Sequence, residues 1–331
     1  MAPGKIEPDS ITIDTFVSSS KPPISRPRIY LLEVFSDAVI QYCQNFFDTI
    51  LATDPESSNW RENAEFLLLR EKTISADDIA AARKLRAIGK QGTGIDIIDQ
   101  EACKKRGIPI LNTPGVNAQS VAELVLTLTM AVARELRTIS VKQAAGVEVR
   151  KEHCRGVTMT DRAIGILGMG HIGTAVARIF YGAFRSRIYV YDPSKPPEAW
   201  SDIPHVRVKR YEEMLPLVDV LTVHVPLNAK TRGMIALQHF QVMKPTAILI
   251  NVARGGIVNE VDLAVALEEG LIWGAGIDCH EEEPPTLQRY SRLWNTGKVI
   301  STPHIGATTD DMQTKTAKVA IDNVYRFLQA K

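Results

Sequence analysis

Short apolar runs alternate with longer amphipathic segments along most of the chain, a pattern typical of strands and helices in turn. In the first third, four such runs predict buried strands: Arg28–Val34, Ala64–Leu69, Leu85–Ile88 and Ile108–Leu111. The last of them contains Pro109, which favours an edge or terminal position because proline cannot donate to a strand ladder. This part of the chain therefore predicts a small α/β unit of its own.

Two sequences that resemble capping boxes predict where helices begin. Ser75 and Asp78 are spaced to open a helix over Ile79–Lys84, and Ser120 and Glu123 are spaced to open a longer one. Apolar residues recur at helical spacing along the second helix: Val121, Leu124, Val125, Leu128, Val132 and Leu136. This apolar face predicts core packing, and it also fits a helix at a hinge and a dimer interface.

A second series of apolar runs predicts six more strands: Ala163–Leu167, Ile188–Tyr191, Val220–Val225, Ala247–Asn251, Gly274–Asp278 and Val299–Ser301. Helical segments between them predict crossovers, and therefore a doubly wound parallel sheet. The last helix, from Asp310 to about Leu328, follows the final strand and is expected to return to the first unit. The predicted fold class is α/β.

A glycine-rich turn follows the first strand of the second series. In Gly168-x-Gly170-x-x-Gly173, the first glycine allows a tight turn, the second lets backbone approach a pyrophosphate, and the third lets the helix pack close to the strand. Asp192 ends the next strand, where a carboxylate accepts hydrogen bonds from ribose hydroxyls and repels a 2′-phosphate. The pattern predicts a dinucleotide site that prefers NAD to NADP.

Composition excludes several other classes of protein. Hydrophobic residues make up 45% of the 331 residues, charged residues 23%, and the formal net charge is +1. We therefore expect no nucleic-acid partner and no membrane association. The four cysteines (Cys43, Cys103, Cys154 and Cys279) form no C-x-x-C pair, which predicts reduced thiols and no metal site. Residues 1–26 are rich in Pro and Ser and carry acids, which predicts a flexible leader of a cytoplasmic protein.

Three polar groups follow neighbouring strands of the predicted sheet. Arg254 follows Ala247–Asn251, a run of carboxylates follows Gly274–Asp278, and His304 follows the last strand. Because ligands bind at the carboxyl ends of parallel strands, we expect these groups to meet beside the glycine-rich turn. Such a trio suits hydride transfer at a 2-hydroxy acid: histidine exchanges the hydroxyl proton, a carboxylate supports it, and arginine holds the substrate carboxylate.

In combination, several motifs make the chain resemble the D-isomer-specific 2-hydroxyacid dehydrogenases, over about residues 66–308. They are Gly92-Thr-Gly-Ile-Asp-Ile-Ile-Asp99, Asn112-Thr-Pro, Ser120-Val-Ala-Glu-Leu, the glycine-rich turn, His224-Val-Pro-Leu-Asn228, Asn251-Val-Ala-Arg-Gly-Gly, Glu283-Pro284 and Pro303-His-Ile-Gly-Ala307. The resemblance implies that Arg254 binds the substrate, that His304 is the acid/base and that Glu283 supports it. It also implies these NAD contacts beyond the turn glycines and Asp192: Thr93, His171, Ile172, Val225, Val252, Ala253, Asp278, Gly306 and Ala307.

The resemblance further implies two Rossmann-like domains separated by a cleft, in a homodimer. The expected division is a discontinuous substrate domain, residues 27–117 plus 306–331, with an NAD-binding domain inserted over residues 118–305. Closure of the cleft would exclude water from the hydride path.

Several histidines and acids near the site have simpler interpretations. His280 stands where the family usually has an aromatic residue, and we interpret it as a packing substitution. His171 is expected to be a neighbour of the cofactor rather than an acid, and His224 a wall of its pocket. Glu281 and Glu282 are expected to be solvated, because the Glu-Pro match selects Glu283.

The substrate itself stays open. Arg70 and Lys90 resemble the cations that phosphoglycerate dehydrogenases use for their phosphorylated substrate, and Gly92, Thr93 and Gly94 follow as further substrate contacts. Together with Arg254, these cations would suit an acid with a second anionic group such as 3-phosphoglycerate. The alternative is that both are surface charges, which leaves glyoxylate, hydroxypyruvate or bulkier 2-keto acids.

Two other functions fit parts of the pattern. Corepressors that resemble this family keep its fold and NAD binding but act as binding scaffolds, although they typically carry a long C-terminal extension. Formate-type dehydrogenases usually replace the supporting carboxylate by an amide, whereas this chain has Glu283. The intact trio favours an enzyme that acts on a small 2-hydroxy or 2-keto acid.

Overall fold

A computed structural model describes residues 26–330 as a succession of strands and helices, so all of the predicted leader except Arg26 lies outside the described residues. The strands are β1 (Arg28–Leu31), β2 (Asp48–Ile50), β3 (Phe66–Leu69), β4 (Ala87–Lys90), β5 (Ile110–Leu111), β6 (Ala163–Leu167), β7 (Arg187–Tyr191), β8 (Val206–Arg207), β9 (Val220–Val223), β10 (Ile248–Asn251), β11 (Gly274–Ile277) and β12 (Val299–Ser301). The helices are α1 (Asp37–Gln44), α2 (Trp60–Asn63), α3 (Ala76–Ala81), α4 (Gln100–Lys105), α5 (Ala118–Ala133), α6 (Leu136–Ala144), α7 (His171–Phe184), α8 (Leu237–Phe240), α9 (Glu260–Glu268), α10 (Leu287–Asn295) and α11 (Asp310–Gln329). Short 3₁₀ turns cover Pro55–Asn59, Lys151–His153 and Tyr211–Glu213.

The first five strands form one parallel sheet in the order β2-β1-β3-β4-β5. Apolar side chains cover both of its faces, because helices α1 and α11 pack on one side and α2, α3 and α4 on the other. β5, which follows Pro109, lies at an edge as predicted. The sequence pattern missed β2, a three-residue edge strand whose Asp48 is exposed.

The other seven strands form a second parallel sheet in the order β12-β11-β10-β9-β6-β7-β8. All six predicted strands are present, and β8 is an additional two-residue edge strand. The chain runs outward from β6 in one direction through β7 and β8, and in the other through β9 to β12. The strand order therefore reverses between β6 and β9, where an open α/β sheet leaves a crevice for a ligand. The α/β class with two such sheets is confirmed.

Helix boundaries confirm one of the two predicted capping boxes. Ser75 caps α3 through reciprocal hydrogen bonds with Asp78, although the helix begins at Ala76, earlier than predicted. The prediction of a capping box at Ser120 is wrong, because α5 already begins at Ala118. Instead the Ser120 hydroxyl donates to the Gly306 carbonyl oxygen at 2.8 Å.

The long predicted helix is in fact two helices. Glu135 adopts a left-handed conformation (φ 54°) between α5 and α6. Leu136 therefore leaves the apolar face predicted for it and is 50% exposed. The remainder of that face packs as predicted, since Val121, Val125 and Leu128 are buried in the core of the second sheet.

The last helix returns to the first sheet, as the sequence indicated. Ala317, Ala320 and Val324 of α11 are fully buried with the side chains of β1 and β3. Among residues 26–330, no helix combines the length and the hydropathy needed to cross a bilayer.

Candidate active site

The glycine-rich turn joins β6 to α7 in the geometry that a dinucleotide site needs. Gly168 has φ +104°, and a Cβ added there would lie 2.7 Å from the His224 carbonyl oxygen. A Cβ on Gly173 would lie 2.1 Å from the Gly168 carbonyl oxygen, so only glycine lets α7 approach the strand this closely. A Cβ on Gly170, the residue before the helix, would meet no atom within 4 Å. The N-terminus of α7 is thus open to an anionic ligand.

Asp192 lies at the end of β7 beside this turn. Its carboxylate accepts from the Met169 backbone N–H at 2.8 Å and from the Ser194 N–H and hydroxyl at 2.9 and 2.6 Å. Partial burial acts to raise the pKa of Asp192, but the bonds from Ser194 and Met169 outweigh it and hold that pKa below its usual value. The carboxylate is therefore ionised beside the turn, where it would accept from a ribose and repel a phosphate.

Arg254 is held by the loop that follows β10. The buried Asn251 side chain accepts from the Ala253 N–H at 3.1 Å and donates to the Arg254 carbonyl oxygen at 3.0 Å. These two bonds fix the backbone on both sides of the arginine. Asn251 appears in the predicted motif but was given no role, and its local bonds to backbone are of the kind that asparagine often makes in turns.

The guanidinium of Arg254 reaches across to the first sheet. It donates to Asp96 Oδ1 from Nη2 at 3.2 Å and from Nε at 3.4 Å, while Nη1 donates to the Ala253 carbonyl oxygen at 2.7 Å. A Cβ on Gly94 would lie 1.8 Å from Nη2, so this glycine provides the space for the guanidinium. The sequence did not reveal Asp96, because the two partners are 158 residues apart.

His304 and Glu283 form a hydrogen-bonded pair. His304 Nδ1 lies 3.0 Å from Glu283 Oε2, and Glu283 Oε1 accepts from the His280 backbone N–H at 3.1 Å. The side chains of His304 and Glu283 are 43% and 37% exposed, so both remain reachable from solvent. Since Nδ1 faces the carboxylate, Nε2 is the nitrogen left for a substrate.

Neighbouring groups favour the charged form of this histidine. Contact with Cys279 and the hydrogen bond to Glu283 raise the pKa of His304 to about 10, against the opposing effect of burial. Burial also raises the pKa of the Cys279 thiol, so this neighbour is uncharged at neutral pH. We therefore attribute the electrostatic part of the effect to Glu283. For Glu283 itself, burial acts to raise the pKa, but the His304 partner outweighs it and lowers that pKa.

The loop that carries His304 is anchored on Asp278. The carboxylate of Asp278 is 1% exposed and accepts from Thr302 Oγ1 (2.6 Å), the Ile305 N–H (2.8 Å) and the Gly306 N–H (3.0 Å). The Asp278 carbonyl oxygen accepts from the His304 N–H at 2.8 Å, and His304 adopts a left-handed φ of 59°. Asp278 thus has a role within the protein that the resemblance did not suggest, while its cofactor contact stays a prediction.

The other histidines near the site differ from His304. His280 is 3% exposed, packs edge-on against Tyr290 and shares a hydrogen bond of 2.9 Å with Ser301, and burial lowers its pKa. These contacts support its interpretation as a packing residue. Burial lowers the pKa of His224 to about 3, so this imidazole is neutral. His171 is exposed, and its ring lies against Gly115.

Of the two predicted substrate cations, Lys90 is the buried one. Lys90 is only 7% exposed, which excludes a simple surface charge, and its ammonium donates to the Gln91 carbonyl oxygen at 2.5 Å. Burial, followed by the charge of Arg254, lowers the pKa of Lys90 to about 8. Arg70 instead donates to Gln313 Oε1 at 3.1 Å on α11.

The remaining predicted contacts lie on loops that follow strands or in the first turn of α7. Val252 and Ala253 follow β10 and are buried, and Val225 follows β9. Ile172 is in the first turn of α7, and Ala307 follows the buried Gly306. In the first sheet's loop, the Gly92 N–H donates to Thr113 Oγ1 at 2.9 Å, and the Thr93 carbonyl oxygen accepts from Asn112 at 2.7 Å.

One group of possible metal ligands was not visible in the sequence. Single donor atoms of Cys279, Glu283 and His304 lie within 4.8 Å of one another, although no pair of these residues has a recognised metal spacing along the chain. The fold creates this group by bringing the loops after β11 and β12 together.

Comparisons with known proteins show which family the chain resembles. Residues 126–306 match the family model described as "D-isomer specific 2-hydroxyacid dehydrogenase, NAD binding domain". The chain is 35% identical to a hydroxypyruvate reductase of Thermotoga maritima over 80% of this chain and 85% of that protein. It is also 35% identical to a D-3-phosphoglycerate dehydrogenase of Methanocaldococcus jannaschii, over 82% of this chain but only 51% of that protein.

A solved structure has a similar fold. The TT0316 protein from Thermus thermophilus superimposes with a TM-score of 0.81 at 28% identity, covering 92% of this chain and 97% of that one. The chain spans about half the length of the phosphoglycerate dehydrogenase relative but most of the reductase.

Proposed function

Because the chain belongs to the D-isomer-specific 2-hydroxyacid dehydrogenases, which are NAD-dependent oxidoreductases, we propose that it interconverts a short 2-keto acid and its D-2-hydroxy acid. The observation that carries this proposal is the His304–Glu283 pair, 3.0 Å apart, on the loops that follow the strands beside Arg254. A general acid and a fixed cation are the two groups that reduction of a 2-keto acid requires from the protein.

In the proposed mechanism, Arg254, His304 and Glu283 have separate roles. Arg254 binds the substrate carboxylate and polarises the keto oxygen, since its planar fork can donate to both. His304 gives the proton on Nε2 to that oxygen, and Glu283 stabilises the imidazolium from the Nδ1 side. NAD(H), when bound, supplies or accepts the hydride at C2. In the reverse direction, neutral His304 takes the hydroxyl proton.

The residues of the nucleotide crevice fit NAD(H). The three glycines of the turn leave the N-terminus of α7 open for the pyrophosphate, and ionised Asp192 next to the turn could accept hydrogen bonds from a ribose. The remaining contacts assigned by resemblance, including Asp278 and Val252, belong to this proposal.

For the substrate, we propose a short 2-keto acid with a polar or anionic substituent at C3. The support for a second anion-binding position is Lys90, a buried cation whose pKa is lowered by burial and by the charge of Arg254. Hydroxypyruvate and its phosphorylated form both fit this description, and they are the substrate types that the names of the relatives suggest. Arg70, which is engaged with Gln313, has a smaller part in this proposal.

The test is NADH consumption by the purified protein with glyoxylate, hydroxypyruvate, phosphohydroxypyruvate, phenylpyruvate and 2-ketoisocaproate. We expect the highest kcat/KM for hydroxypyruvate or phosphohydroxypyruvate, the two acids with a polar or anionic substituent at C3, and loss of turnover in His304→Ala with NADH binding retained. Preference for phenylpyruvate would contradict the Lys90 assignment. Binding of NADH without turnover of any substrate would favour an NAD-dependent binding scaffold.

We also propose a cytoplasmic homodimer with the two-domain division given above. Three apolar side chains on and after α6 are exposed: Leu136, Val141 and Val147 are 50%, 56% and 51% exposed. Burial of this group against a second copy would explain its composition. Light scattering should give twice the mass of one chain, and Val141→Glu should reduce the measured mass to that of one chain.

The cytoplasmic location is a separate proposal. The unpaired cysteines are consistent with a reducing compartment, which cell fractionation would test.

A further inference from the structure

Cys279 places a thiol next to the proposed acid/base pair. Its sulfur, a carboxylate oxygen of Glu283 and a ring nitrogen of His304 all lie within 4.8 Å of one another. Cys279 is fully buried, whereas Glu283 and His304 are partly exposed, so the group is closed on one side and open on the other. The mechanism proposed above uses Glu283 and His304 but gives the thiol no part.

This donor set matches the preferences of zinc. Thiolate, imidazole and carboxylate are the ligands that Zn²⁺ takes in proteins, commonly three of them with water in the fourth position. With tetrahedral geometry and ordinary bond lengths, ligand atoms are separated by about 3.3–3.6 Å. Glu283 and His304 are already 3.0 Å apart, and the sulfur needs to move by no more than about 1.5 Å, which a change of the Cys279 side-chain rotamer could provide.

We propose that Cys279, Glu283 and His304 form an inhibitory binding site for Zn²⁺. Binding replaces the Nδ1 proton of the imidazolium and the thiol proton by one metal ion, so two protons are released and no electron is transferred. The partly exposed side of the group gives the ion an entrance and leaves its fourth position to water.

The expected consequence rests on the proposed function. A metal ion on Nδ1 removes the charge-assisted bond to Glu283 and prevents the imidazolium from forming, so His304 can no longer deliver a proton to the substrate. Zinc should therefore lower kcat without displacing NADH, because none of its three ligands belongs to the glycine-rich turn. Binding itself does not depend on turnover and can be measured separately.

The first measurement is direct binding. Protein purified with a chelator, then freed of it, is titrated with ZnCl₂ by calorimetry, and with CoCl₂ by absorption spectroscopy. We expect one zinc per chain and a near-ultraviolet thiolate-to-cobalt band. Cys279→Val should remove that band and weaken zinc binding by about tenfold or more. Cys279→Ser serves as a second variant if the valine protein is poorly folded.

A matched control separates this site from another cysteine. Cys154 is exposed and follows His153, so it could bind zinc by itself, and Cys154→Ser tests that alternative. The zinc concentration for half inhibition, measured relative to each protein's own zinc-free rate, should rise for the Cys279 variants and stay unchanged for Cys154→Ser.

Two outcomes would overturn the site. The first is a cobalt complex without the sulfur band, and the second is zinc binding that persists in Cys279→Val but disappears in Cys154→Ser. Failure of the proposed function looks different: the protein would bind zinc through Cys279 yet reduce none of the 2-keto acids.

Discussion

Replacing Asp278 by asparagine should destabilise the protein, because the carboxylate anchors the loop of His304. The substitution keeps one oxygen near Thr302 and Ile305 but turns an amide donor towards the buried N–H of Gly306. One charge-assisted hydrogen bond, worth about 1.5–3 kcal/mol, is then lost and a buried donor is left without an acceptor. The bonds that remain lose the charge of their acceptor.

Because these effects are not additive, we expect Asp278→Asn to lower the free energy of unfolding by about 3 kcal/mol in total. At an unfolding entropy of about 2.1 cal/mol/K per residue, the 331 residues correspond to about 1.4 °C of melting temperature for each kcal/mol, so the transition should fall by roughly 4 °C. Differential scanning calorimetry of the cofactor-free protein measures this shift. Asp202→Asn is the control, because it also removes a carboxylate charge, but from a side chain that is 62% exposed and pairs with Arg178; such exposed pairs contribute at most about 1 kcal/mol.

The same variant separates the anchoring role from a pure cofactor contact. If Asp278 only contacts NAD, as the resemblance implies, Asp278→Asn should weaken NADH binding and leave the melting temperature of the cofactor-free protein unchanged. Equal transitions for Asp278→Asn and Asp202→Asn would refute the anchoring role. A lower transition with a reduced kcat would support it, because the loop on Asp278 also positions His304.

Substitutions at three further residues test individual assignments. Asp192→Ala should raise kcat/KM with NADPH relative to NADH by about tenfold or more, as expected for a removed charge repulsion; an unchanged ratio would mean that the ribose contact is misassigned. Since the pKa of His304 is raised to about 10, reduction should hold at neutral pH and decline as pH rises through that value, while oxidation increases. In chelator-containing buffer, Glu283→Gln should move both the decline of reduction and the increase of oxidation to lower pH. Identical pH profiles for the variant and the unmodified protein would contradict the pairing of Glu283 with His304. Lys90→Met should raise KM for a C3-anionic substrate about tenfold or more and barely affect glyoxylate, with Lys90→Arg restoring binding; equal effects on both substrates would argue against a second anionic position.

Much of the fold could be predicted from local pattern. Buried parallel strands are continuous apolar runs, so the six predicted strands of the second sheet and the turn at Gly168 followed from the sequence. The edge strands β2 and β8 were missed because they are two or three residues long and partly polar. Helix ends were less certain, as the break at Glu135 and the true start of α5 at Ala118 illustrate.

The sequence by itself determined the chemical identity of the candidate site. Arg254, Glu283 and His304 each follow a predicted strand, and parallel strands bring their carboxyl ends to one edge of a sheet. Residue type and strand order were therefore enough to predict a glycine-rich nucleotide turn, an acid/base and a substrate cation. The choice of Glu283 among the carboxylates after Gly274–Asp278 rested on the resemblance, through the Glu-Pro match.

Only the tertiary structure decided which groups surround that site. Asp96 pairs with Arg254, and Cys279 lies near His304, although the residues of each pair are distant in sequence. Lys90 is buried, which its charge alone did not indicate. No periodicity encodes such contacts, because they depend on how two sheets and their loops approach one another. Burial and proximity, which shift the pKa values of Lys90 and His304, arise only when the chain has folded.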